Sequence, residues 1–134
     1  MHRMHVAVAG AHLRGEPLNV ELTDRAARFV RATRTAPIYR LYALATEPPK
    51  PGLVRVGAEK GGAAIEVEVW DLEPAAFASF VDGVLQPLAI GRVTVQDGDV
   101  VAGFVCEPIA LEGAVDITHH GGWRAFRVAS APLQ

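Results

Sequence analysis

The loop Gly10-Ala11-His12-Leu13-Arg14-Gly15 gathers the residue types best suited to chemistry in this chain. It joins a short apolar run to a helical pattern. Backbone N–H groups in such a loop, and at a helix start, form a natural cradle for a carboxylate or phosphate. His12 adds a side chain that exchanges protons near neutral pH, and Arg14 adds a fixed positive fork. The stretch is no P-loop, which needs a second glycine followed by Lys and Ser/Thr. The plainer alternative is a glycine-hinged connection that carries a surface histidine.

Other candidates are weaker. Tyr39, Arg40 and Tyr42 lie on the strand that follows the helical pattern, where they could line the same region or simply cover a sheet edge. Glu66 and Glu68 share a strand face with Trp70; paired carboxylates can do acid–base work, but two acids on one strand face are expected to be solvated. His119 and His120 are adjacent, so on an extended segment they point apart and no metal site is expected. Cys106 ends a strand with no arranged base beside it and reads as a structural thiol.

The elements that must position these groups follow from periodicity. His5 to Ala9 reads as a buried first strand. Leu22, Ala26, Phe29, Val30 and Thr33 fall on one helical stripe, predicting a helix over Val20 to Thr33 with Asn19 as its N-cap. Pro37 to Leu44 reads as a strand with Tyr39, Leu41 and Ala43 on one face. The run from Glu47 to Gly52 holds three prolines and is expected to be a surface loop. Strands are expected at Leu53–Val56 and Ala64–Leu72, and a short helix over Pro74 to Val81. A hairpin of Ile90–Val95 and Val100–Cys106 is expected around an Asp97-Gly98 type I′ turn. Trp123 and Phe126 suggest a short helical piece near the end. The order β-α-β-β-β-α-β-β is a mixed sheet and not the strict βαβ alternation of a doubly wound domain.

Composition sets the outer limits. A chain of 134 residues, half of them hydrophobic and 21% charged, has the length and apolar content of one globular domain spanning 1–134. Its formal charge of −2 argues against a dedicated nucleic-acid binder. One cysteine excludes a disulfide framework, and no apolar run is long enough for a signal peptide or membrane span. A cytoplasmic protein is expected, with no membrane partner.

Several blocks in one order carry a family resemblance: Gly10–Leu13 (Gly-Ala-His-Leu), Pro17–Asn19, Pro37–Leu44, Lys50–Val56, Ala64–Trp70, Pro87–Gly91, Gly103–Pro108 and Asp116–Thr118 with Gly121–Ala125. Together they resemble the C-terminal domain of bacterial allophanate hydrolases, from about Val6 to Phe126. The resemblance implies an α+β fold: a γ-glutamyl cyclotransferase-like, barrel-like mixed sheet with two or three helices. In that superfamily the loop after the first strand holds a substrate carboxylate through backbone amides. Here the loop is Ala9 to Leu13, making Gly10, Ala11, Leu13, Arg14, Tyr39 and Arg40 the expected substrate contacts. Asp82-Gly83 resembles the position of the superfamily's catalytic glutamate, one methylene shorter.

The resemblance further implies chemistry on N-carboxycarbamate, the product of an amidase domain acting on allophanate, with release of CO2. His12 is then the first choice as proton donor, with Asp82 and Arg40 behind it. No cofactor is implied. The chain carries no amidase portion, so a stand-alone version is expected, serving a small carboxylate substrate beside a separate amidase; self-association is open. Two alternatives stay in view, a cyclotransferase with Asp82 as base and a non-catalytic accessory module.

Overall fold

The central strand, β1 (Met4–Val8), is hydrophobic on both faces because both are covered. In the computed structural model, which describes residues 2–131, Ala7 and Ala9 point into an inner core with Tyr39, Leu41, Val67 and Trp123. Val6 and Val8 point the other way, into an outer cluster with Leu13, Leu22, Trp70 and Phe80. The period-2 alternation of a strand thus divides its side chains between two apolar layers.

β1 sits between β5 (Glu66–Leu72), which it pairs antiparallel, and β7 (Val100–Cys106), which it pairs parallel. With β2 (Arg28–Arg34) and β6 (Leu88–Thr94) at the edges, the sheet order is β2-β5-β1-β7-β6. A second sheet holds β3 (Tyr39–Ala43), β4 (Pro51–Arg55) and β8 (Val115–Asp116) in the order β4-β3-β8. Isolated bridges Thr35–Val95 and Tyr39–Ala63 join the sheets' strands into a barrel-like whole around the inner core. Helix α1 (Val20–Thr23) and α2 (Pro74–Asp82) cover the outer face through Leu22 and Phe80. Helix α3 (Trp123–Ser130) sends Trp123 into the inner core. This is the expected α+β mixed sheet with three helices. No helix among the described residues is long and apolar enough to cross a membrane.

The long helix over Val20 to Thr33 does not form. Only Val20–Thr23 is helical; Ala26 adopts a positive φ of 56°, which ends the helix, and Arg28–Arg34 becomes β2. The apolar stripe was a coincidence of two faces. Leu22 belongs to the outer cluster, Phe29 packs edge-on against Trp70 at 5.5 Å, and Val30 packs on the inner core. A register shift between Phe29 and Arg31 inserts the extra residue that disguised the strand's period. Asn19 makes no side-chain cap and instead donates from Nδ2 to the His12 carbonyl at 2.7 Å.

Two turns also differ. Pro51 and Gly52 start β4 instead of ending a loop, with Pro51 opposite Ala43. The hairpin after β6 is not type I′, which needs two positive φ values. Only Gly98 has one, 98°, and the Gly98 N–H bonds the Val95 carbonyl, giving a three-residue connection with a glycine bulge.

Glu68 is not solvated. Its side chain is 1% exposed and accepts from the Arg14 backbone N–H at 2.9 Å, Arg14 Nε at 3.1 Å, Trp70 Nε1 at 3.2 Å and Arg124 Nη2 at 3.3 Å. The carboxylate thereby ties β5 to the loop after β1 and to α3. Burial pushes the Glu68 carboxyl up, but these four hydrogen bonds outweigh it and hold the group below its ordinary 4.5. Above that value Glu68 is ionised whether folded or not, and the network contributes fully. As the pH falls below it, the unfolded chain takes up the proton first and the contribution drains away.

Glu68→Ala is therefore expected to lower stability at neutral pH by about 1–3 kcal/mol, since buried donors lose their acceptor. In urea melts, Glu68→Gln should show a shallower loss of stability with acidification than the parent; parallel acid limbs would contradict the assignment.

Candidate active site

β1 runs out of ladder partners beyond Val8, and Gly10 turns the chain. A Cβ at Gly10 would overlap the ring of Pro51, so only glycine lets β4 approach this closely. The turn closes through the Leu13 N–H on the Gly10 carbonyl and the Leu18 N–H on the Ala11 carbonyl. Among the described residues, the N–H groups of Gly10, Ala11 and His12 donate to no protein acceptor. Buried and half-buried main-chain donors normally find a partner, so three successive free ones are candidates for an anion-accepting nest.

A cavity of about 360 Å³ lies against these three residues. His12 lines it with a side chain only 13% exposed. Its ring stacks on Phe104 of β7 at 5.0 Å and meets Phe80 of α2 edge-on at 5.2 Å. Nε2 donates to Glu21 Oε1 of α1 at 2.6 Å. Glu21 thus fixes a hydrogen on Nε2 and the orientation of the ring, leaving Nδ1 as the nitrogen able to exchange a proton with a ligand. Lys50 and Arg127 also line the cavity, and neither forms an ion pair among the described residues. Two cations, three free amides and an oriented imidazole suit a small ligand with two negative charges.

The structure brings Gly10, Ala11 and His12 together at the cavity and leaves the other expected contacts outside its lining. Leu13 is wholly buried in the outer cluster. Arg14 turns to Glu68 and lays its guanidinium over Phe29, 3.8 Å from the ring centroid. Tyr39 is buried in the inner core, where its Oη accepts the Thr94 N–H at 2.9 Å. Arg40 pairs with Asp116 through Nε at 2.8 Å; that hydrogen bond outweighs desolvation and raises its pKa. Asp82 is exposed at the end of α2, while its neighbours Gly83 and Val84 line the cavity. Burial pushes the Cys106 thiol up, as befits a structural cysteine.

Glu21, Lys50 and Arg127 are the residues that reading by type and spacing missed. Glu21 sits in the first turn of α1, where an acid is expected from the helix dipole alone. Lys50 sat in a proline-rich run, and Arg127 near an ambiguous terminal segment. Nothing local marked the last two as neighbours of His12.

Known proteins resemble this chain in sequence and in fold. The family model "Allophanate hydrolase C-terminal domain" matches residues 4–128. A urea amidolyase of Saccharomyces cerevisiae is 40% identical over 125 residues, covering 90% of this chain and 7% of that protein. The chain thus spans a small fraction of that relative's length. The solved Kluyveromyces lactis allophanate hydrolase superposes with a TM-score of 0.91 at 36% identity, covering 98% of this chain and 22% of that one. An Escherichia coli protein described as specific to uropathogenic strains superposes at 0.86 and 34% identity over 98% of this chain and 100% of its own. A γ-glutamyl cyclotransferase, 12% identical with a TM-score of 0.56 over 79% of this chain and 68% of its own, shares the fold alone.

Tyr39→Phe tests the core placement. It should cost about 1–2 kcal/mol by leaving the Thr94 N–H without its acceptor, while malonate affinity measured by calorimetry stays at the parent value. A large loss of affinity with unchanged stability would return Tyr39 to the ligand.

Proposed function

Because the chain belongs to the allophanate hydrolase C-terminal domain family, we propose that it decarboxylates N-carboxycarbamate or a closely similar small dianion. A separate amidase acting on allophanate would supply that substrate. The observation that carries this reading is the meeting, in one cavity, of the Gly10–His12 amides with the Glu21-oriented imidazole of His12.

The chemistry requires one proton and nothing redox. In N-carboxycarbamate a nitrogen joins two carboxylates. Breaking one C–N bond sends its electron pair to nitrogen, which takes a proton, while the departing carboxylate leaves as CO2. Carbamate remains. The amide nest holds the carboxylate that stays, and Lys50 and Arg127 balance the charge of the dianion as it enters. His12 supplies the proton from Nδ1, with Glu21 keeping the ring in register through Nε2. The stacked Phe104 ring and the edge-on Phe80 ring fix the plane of the imidazole and shield it from water. Holding the reacting nitrogen against a positioned acid makes the transfer effectively intramolecular.

In an assay coupling an allophanate-cleaving amidase to this chain, His12→Ala should slow CO2 release by about 10²–10⁴-fold with an unchanged circular dichroism spectrum. Glu21→Gln should cost roughly 10- to 100-fold, because the ring loses its fixed orientation. CO2 release at the parent rate by His12→Ala would sink the proposed role.

A further inference from the structure

The cavity is larger and more apolar than the dianion needs. N-carboxycarbamate has seven non-hydrogen atoms. The volume of about 360 Å³ corresponds to roughly twelve waters at about 30 Å³ each, well beyond what so small an ion fills. The charged and donor groups account for only part of the lining. Much of the rest is hydrocarbon: Leu18, Val84, Leu85 and Leu88 together with the rings of Phe104 and Trp123. A bare dianion gains nothing from such a wall and leaves it wet.

We infer that this site takes a small dicarboxylate carrying an apolar substituent, such as an alkyl or benzyl group, and binds it more tightly than the unsubstituted ion. The inference rests on the carboxylate-binding reading above and extends it to the substrate class. The two carboxylates address the amide nest and the Lys50 and Arg127 cations; the substituent lies against Leu85, Leu88 and Phe104. Leu85 and Leu18 are both exposed, and covering them removes apolar surface from water. Leu85 in the segment after α2, Leu88 at the start of β6 and Phe104 on β7 lie beside the α2 and β7 rings that seat His12, so substituent and imidazole share one frame. An amphiphilic acid would therefore reach the proton donor without any rearrangement of the fold.

Calorimetric titration of the intact chain with malonate, ethylmalonate, butylmalonate and benzylmalonate separates the possibilities. The expected result is an affinity that rises by roughly threefold or more per added methylene, the scale of burying one such group. The heat-capacity change should grow more negative along the series, the signature of apolar burial. Butylmalonate should also displace malonate competitively. Malonate binding with a flat or falling trend along the series would overturn the inference and leave the carboxylate reading standing. Non-competitive binding of butylmalonate would overturn it too, by placing the substituted acid elsewhere. If malonate itself does not bind, the underlying reading fails and this inference goes with it.

Discussion

A strand that stops short of its hydrogen-bond partners governs the rest of the molecule. β1 is buried on both faces and paired on both edges, yet beyond Val8 the ladders end, and the N–H groups of Gly10, Ala11 and His12 find no acceptor among the described residues. Such donors carry a penalty that a folded chain ordinarily avoids. Here Gly10 turns the chain out of the sheet beside the ring of Pro51, an approach that a Cβ would block. The cavity, the position of His12 and the route of the following loop all descend from that interruption.

The two apolar layers explain why the interruption stays in place. The inner core fixes β1 through Ala7 and Ala9, small residues that let β3 and α3 come close. The outer cluster fixes it through Val6 and Val8 against Leu22 and Phe80. His12 belongs to neither layer fully. It sits where α2 and β7 meet, its ring clasped by one phenylalanine from each, and its polar edge satisfied by a carboxylate from α1. A histidine held on three sides this way has one orientation, which a proton-transferring group requires.

Much of this was legible in the sequence, and what was not has physical causes. The alternation put Tyr39, Leu41 and Ala43 on one face, and all three are buried on β3, which makes Tyr39 a core residue and not the expected ligand contact. The Gly10–Leu13 block announced a turn with a histidine in it. The stretch from Val20 to Thr33 misled because a bulge in β2 shifted the strand's period toward a helix's, and pairing with β5 outweighed local propensity. Arg14 looked like a ligand contact and Glu68 like a solvated acid, because their partnership spans 54 residues of chain and is invisible to local pattern. Arg40 and Asp116 repeat that lesson across 76 residues.

The bond from the Arg14 main chain to buried Glu68 has a consequence for how fast ligands come and go. It pins the rear of the loop to the sheet, and Asn19 pins its middle through the His12 carbonyl. The receptor geometry is thus built during folding, and little ordering entropy remains to be spent at encounter. Capture in such a rigid receptacle needs no closing lid. A ligand entering the cavity as proposed would meet a loop already in place, with nothing left to order around it.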